Sequence, residues 1–203
     1  MIKRIFLLML LTLALPIATF ASSVDFTNSG GTLTGSTSLS LSGSVLIHVG
    51  TIVGSDLGSL TFSTGALTSG TLQMGGTLGA GGSFVITGNG ADGVHNGVIF
   101  SGSFSAPSTW TLVTLGDGTH NYTLSGTMTG TWFTGQKVSG ATVELTTNTG
   151  TGFFTSGSTS ISSGDTSISG IGVRSSTPEP SSLVFFGTGL VGMASVWWRK
   201  KRS

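Results

Sequence analysis

Residues 38–49 read SLSLSGSVLIHV. Leu39, Leu41, Val45, Ile47 and Val49 fall on odd positions, and Ser40, Ser42 and Ser44 on even ones. A period of two sends alternate side chains to opposite faces of a β-strand. The odd set is therefore expected to point into a core, with the serines facing water. His48 falls on the serine side and reads as an exposed polar residue.

The same period appears further along. In NYTLSGTMTGTW, residues 121–132, Tyr122, Leu124, Met128 and Trp132 alternate with Thr123, Ser125, Thr127, Thr129 and Thr131. In TVEL, Val143 and Leu145 alternate with Thr142 and Glu144. Threonine suits an exposed pleated face. Gly/Ser/Thr tracts also make flexible linkers, but linkers do not alternate in this way. No segment between 22 and 176 holds a helical period. Glycine-rich stretches at 75–76, 79–82, 88–93 and 116–118 interrupt the strands. That rhythm predicts an all-β fold, an antiparallel β-sandwich. A β-solenoid is the alternative, although no fixed repeat length runs through the chain. Trp110 and Trp132 are expected to pack the core.

The two ends differ in kind from this middle. The chain starts MIKRIFLLMLLTLALPIATFASS. Lys3 and Arg4 precede an apolar run, Ile5 to Leu15, and Thr19-Phe20-Ala21 puts small residues where signal peptidase inspects the chain. Residues 1–21 thus read as a secretory signal peptide cut after Ala21. The chain finishes TPEPSSLVFFGTGLVGMASVWWRKKRS, residues 177–203. Ser181 to Trp198 carries no ionisable group. A helix of that length spans roughly 27 Å, close to the ~30 Å hydrocarbon core of a bilayer. Trp197 and Trp198 stand where an interfacial aromatic belt would be. Arg199, Lys200, Lys201 and Arg202 then form a basic stop that stays in the cytoplasm. A transmembrane helix over 181–198 is therefore expected, with residues from 22 to about 179 outside the cytoplasmic membrane.

Pro178-Glu179-Pro180, an apolar segment and a terminal Arg/Lys cluster together resemble the PEP-CTERM sorting signal of bacterial proteins. The resemblance covers the tail alone. It implies processing by a membrane peptidase, the exosortase, near Pro178-Glu179-Pro180. It further implies an inner-membrane intermediate, then delivery to the cell surface or an extracellular polysaccharide matrix. The organisation expected is a signal peptide over 1–21, an exported Gly/Ser/Thr-rich β domain over 22–176 and a sorting signal over 177–203.

Charge excludes one class of partner. Between residues 22 and 176 only Lys137 and Arg174 are positive. Asp25, Asp56, Asp92, Asp117, Glu144 and Asp165 are negative, so this part carries 2 − 6 = −4. Nucleic acid needs a basic patch, and this stretch has none. The chain has no Cys, so no disulfide assists folding. About 155 residues suffice for one domain on an apolar core.

One local repeat stands out. Asp92-Gly93-Val94-His95-Asn96 matches Asp117-Gly118-Thr119-His120-Asn121, each leading into a strand. Asp-Gly is a hairpin signal, so the plainer reading is two equivalent turns between neighbouring strands. The functional reading makes Asp92, His95, Asn96, Asp117, His120 and Asn121 candidate ligand loops, gathered at one end of the domain and suited to a sugar hydroxyl array or a metal. Metal sites usually bring more carboxylates or tighter His spacing, and no metal or cofactor is expected. Asn121-Tyr122-Thr123 fits the N-glycosylation sequence, which a bacterial setting makes little use of. No Gly-x-Ser-x-Gly elbow is present, and the six acids are scattered singly, unlike a glycosidase pair. The expectation is a non-catalytic exported surface or matrix protein whose partners are signal peptidase, exosortase, transiently the membrane, and extracellular polysaccharide. The alternative is a carbohydrate-binding or adhesive module with a defined site.

Overall fold

A computed structural model describes residues 22–155, 158–160 and 163–171. They form β1 (Ser22–Ser29), β2 (Thr32–Gly35), β3 (Leu39–Val49), β4 (Ile52–Val53), β5 (Gly58–Ser63), β6 (Leu67–Thr71), β7 (Gly75–Leu78) and β8 (Gly81–Asn89). After a short 3-10 turn, Ala91–Gly93, come β9 (Asn96–Phe104), β10 (Ser108–Thr114), β11 (His120–Trp132), β12 (Lys137–Asn148), β13 (Ser158–Ser160) and β14 (Ser163–Ile171).

The strands hydrogen-bond in the order β12-β14-β1-β3-β5-β8-β9-β11, and β11 pairs again with β12. Every one of these pairings is antiparallel. The result is a closed eight-stranded barrel, not the sandwich or solenoid expected from sequence. A sandwich and a barrel share the same alternation and turn spacing. They differ in whether the first and last strands meet, and here Val24 faces Ile168 and Phe26 faces Thr166 across the seam. Closure gives each of these eight strands a hydrogen-bonded neighbour on both sides.

Several barrel strands are interrupted and continue in line. Phe104 at the end of β9 faces Met128 of β11, and Thr109 in β10 faces Ser125 on the same edge. Residues 105–107, with Pro107, fill the break; Pro cannot donate to a ladder. β5 and β6, and β7 and β8, are split in the same manner. Gly65 sits at this level, where an added Cβ would collide with the carbonyl oxygens of Gly79 and Ala80. Beyond the break, β6, β7 and β10 extend from β11 as a flap.

The opening stretch keeps its phase only in part. Leu39 and Leu41 are buried and Ser40 and Ser42 exposed, as expected. Gly43 then takes φ 67°, and the pairing with β5 steps from Leu41↔Phe62 to Ser44↔Leu60. Ser42 and Gly43 of β3 together oppose Thr61 of β5, so this is a bulge. Past it, Ser44 and Leu46 are buried while Val45 and Ile47 are only half-buried. The expectation that Val45 and Ile47 point inward is corrected. A second irregularity, opposite Thr27 and Asn28, restores the phase. Val49 then packs against the core and His48 stands beside Thr27 on the outside.

Phenylalanines fill the barrel. Phe62 stacks on Phe84 with ring centroids 6.0 Å apart, and Phe104 meets both edge-on. Phe100 and Phe104 occupy the space that side chains at Gly130 and Gly126 would need. Near the flap Trp110 lies against Tyr122, 5.1 Å between centroids and 18° between planes, with Phe154 edge-on. The Trp110 indole donates to the Leu72 carbonyl at 2.9 Å. The Tyr122 hydroxyl donates to the Gln73 carbonyl at 2.6 Å and accepts from the Phe154 N–H at 3.0 Å. Trp110 and Trp132 are both buried, as expected. So are Tyr122, Leu124, Met128, Val143 and Leu145.

The outward face carries hydroxyls, with Thr111, Thr123, Thr146 and Ser163 in one cross-strand row. An apolar inside and a hydroxylic outside is the reverse of a barrel that faces lipid. Among the described residues no helix is long and apolar enough to cross a membrane. The helix expected over 181–198 lies outside the described residues.

Candidate functional site

The two Asp-Gly-x-His-Asn segments join neighbouring strands. The first links β8 to β9 and the second links β10 to β11. They do not share an end. His120 opens β11, whereas His95 stacks on Phe133, which follows the last residue of β11. A strand of 13 residues separates the two ends, roughly 40 Å at the usual rise. The physical reason is simple: a repeat whose copies begin successive antiparallel strands must alternate between ends.

The two ends are built alike. At one, His95 and Phe133 stack with centroids 4.3 Å apart and 21° between planes. At the other, His120 and Phe153 stack at 4.4 Å and 16°. In each case the histidine stands at the start of a strand and the phenylalanine follows the end of the next barrel strand, β11 or β12. Phe133 and Phe153 are 47% and 48% exposed, so each offers its free surface to solvent.

The asparagines are matched too. Asn96 lies opposite Asn89, and Asn121 opposite Asn148. Asn89 and Asn148 each end a strand and accept, through Oδ1, the N–H two residues on: Ala91 at 2.9 Å and Gly150 at 2.8 Å. The Asn148 amide donates to Asn121 Oδ1 at 2.6 Å, and the Asn89 amide donates to the Asp56 carbonyl at 3.0 Å.

The remaining loop residues differ in burial. Asp92 is exposed and holds φ 53°. Asp117 is exposed and accepts from the Thr119 N–H at 2.9 Å and its hydroxyl at 2.8 Å. Those two bonds to the charged form hold its carboxyl below the usual range. His95 is exposed, whereas His120 is buried with Nδ1 3.0 Å from the Thr114 hydroxyl.

Sequence reading missed a second place. Register aligns Ser125, Glu144, Asp165, Thr27 and His48 across five strands on the outer face. With Asp25 they line an open groove of about 870 Å³. Thr27 donates to Asp165 at 2.8 Å. These residues come from both halves of the chain, and nothing local in the sequence marks them. Among the described residues no group of three His, Cys, Asp or Glu side chains is placed to hold a metal ion.

The sorting residues Pro178, Glu179, Pro180 and Arg199–Arg202, and Ala21 before β1, lie outside the described residues. Family comparison bears on the tail. Residues 176–201 match the PEP-CTERM protein-sorting motif. This tail marks the chain as an exosortase-sorted protein of the cell surface or exterior. The PEP-CTERM match covers the tail only and leaves the barrel unassigned. No curated protein and no solved structure matches the chain.

Proposed function

We propose that the barrel is a non-catalytic module, exported behind a signal peptide cut after Ala21 and released into or held in the surface matrix once its PEP-CTERM tail is processed. The observation that carries this reading is the motif at 176–201 following a barrel sheathed in hydroxyls. Thr77, Thr109 and Ser125 form one cross-strand row, and Thr111, Thr123, Thr146 and Ser163 another. Such rows offer hydrated polysaccharide many weak hydrogen bonds. The non-catalytic reading is supported by an interior packed with the rings of Phe62, Phe84, Phe100 and Phe104.

The test is the intact mass of protein recovered from the cell surface and medium, beside a form with Pro178-Glu179-Pro180 changed to Ala. The expected wild type lacks residues 1–21 and everything past about Glu179, while the altered form keeps its C-terminus. A mature protein that retains Arg199 to Arg202 overturns the sorting part of the proposal. A second reading, a carbohydrate-binding module with a defined site, is favoured by the matched His–Phe stacks.

A further inference from the structure

From the two equivalent His–Phe stacks we infer that the barrel is a two-ended cross-linker, taking one sugar ring of a neutral polysaccharide at each end. The inference rests on the reading that the barrel meets polysaccharide, and adds where and how many times. Three observations meet. The repeat is present in sequence. The stacking geometry is nearly identical at 4.3 and 4.4 Å. The phenylalanine is half exposed in both copies, although an aromatic that served packing alone would gain by burial.

The surroundings select the ligand class. An aromatic face backed by a second ring suits the flat C–H face of a pyranose. The His95 end carries two aspartates, Asp56 and Asp92, and the His120 end carries Asp117. Acidic polysaccharide is repelled there, and neutral chains are not. An apolar protein partner would want a continuous greasy patch, whereas here each end also carries amide and carboxylate side chains, Asn89, Asn96, Asp56 and Asp92 at one and Asn121, Asn148 and Asp117 at the other.

Separation decides the consequence. The stacks lie roughly 40 Å apart at opposite ends of β11, too far for adjacent rings of one short saccharide. One barrel therefore joins two polysaccharide chains, and its hold on a polymer network gains from engaging both ends at once.

The full chain, purified in mild detergent, is run in native gels cast with hydroxyethylcellulose, galactomannan or dextran. Wild type is expected to be slowed by at least one and to thicken a solution of that polymer. Phe133→Leu and Phe153→Leu each keep an apolar side chain but lose the aromatic face. Each single variant should bind at least tenfold more weakly and no longer thicken the solution. The double variant should run unretarded, and Phe→Tyr at both positions should behave as wild type. A double Leu variant slowed like wild type overturns the inference while leaving contact through the hydroxyl rows standing. Wild type slowed by none of the three polymers overturns both. A second measurement needs no variant: calorimetric titration of wild type with a hexasaccharide of the retarding polymer should give two sites per chain, and one or none overturns the cross-link.

Discussion

The Asn28 amide donates to the Ser44 hydroxyl at 2.7 Å inside the barrel, and both side chains are fully buried. Ser44 is there because the Gly43 bulge turns it inward. It hands its own proton to the Ser29 carbonyl at 3.2 Å. Ser44→Ala strands the Asn28 amide in an apolar interior and should cost about 1–3 kcal/mol. Adding Asn28→Leu removes the stranded group and should recover much of that loss. Urea unfolding of the single and double variants checks both numbers; a double variant weaker than the sum of its singles would count against this account.

Tyr122 serves two masters, the Gln73 carbonyl and the Phe154 N–H. Tyr122→Phe keeps the ring on Trp110 and leaves the Phe154 N–H buried without an acceptor. The expected loss is roughly 1–3 kcal/mol, read from denaturant midpoints. Hydrogen exchange should report faster exchange at Phe154 and little change at the closing seam of β1 and β14.

Gly65 allows two interrupted strands to pass within backbone contact. Gly65→Ala introduces a methyl against the carbonyls of Gly79 and Ala80, and backbone cannot swing aside as a side-chain tip can. Overpacking of this kind costs about 1–3 kcal/mol. Gly135→Ala makes a useful contrast, since no atom within 4 Å would meet its new Cβ, although its φ of 87° adds backbone strain. Thermal melts of the two variants beside wild type measure the difference.

Asp117 gives a pH signature. Its carboxyl is held below the ordinary value by the two bonds from Thr119. A depressed folded-state pKa adds stability that is present above the unfolded pKa and fades as pH falls through the folded one. Asp117→Ala should therefore melt slightly below wild type at neutral pH, and the gap should close in acid. Because the group is exposed, the gap is small. Paired melts from neutral pH down through the carboxylate range test the sign, and a gap that widens in acid would contradict it.

The all-β class and the inward set of β11 were legible because alternation is a local property. Tyr122, Leu124, Met128 and Trp132 follow one another on the same face, and every one is buried. The phase of β3 was not legible past Gly43, because a bulge adds one residue without changing composition. Closure was not legible either. Whether β1 meets β14 depends on accumulated twist and stagger around eight strands, and no window of sequence contains that sum. The histidine repeat was visible, but its partners were not. Phe133 and Phe153 become partners only when successive antiparallel strands bring them beside His95 and His120. The groove of Asp25, His48, Glu144 and Asp165 is drawn from four strands, and its members carry no shared spacing.

The seam between β1 and β14 fixes an order of events. Its second half is among the last segments of the barrel to be made, and the sorting motif begins at residue 176, five positions after β14 ends at Ile171. A ring cannot be sealed before its final stave arrives, so the barrel closes only once residues 163–171 have been made. A chain cut short anywhere before residue 163 lacks both the stave and the address. Every molecule that bears the address has therefore also received the strand that shuts it.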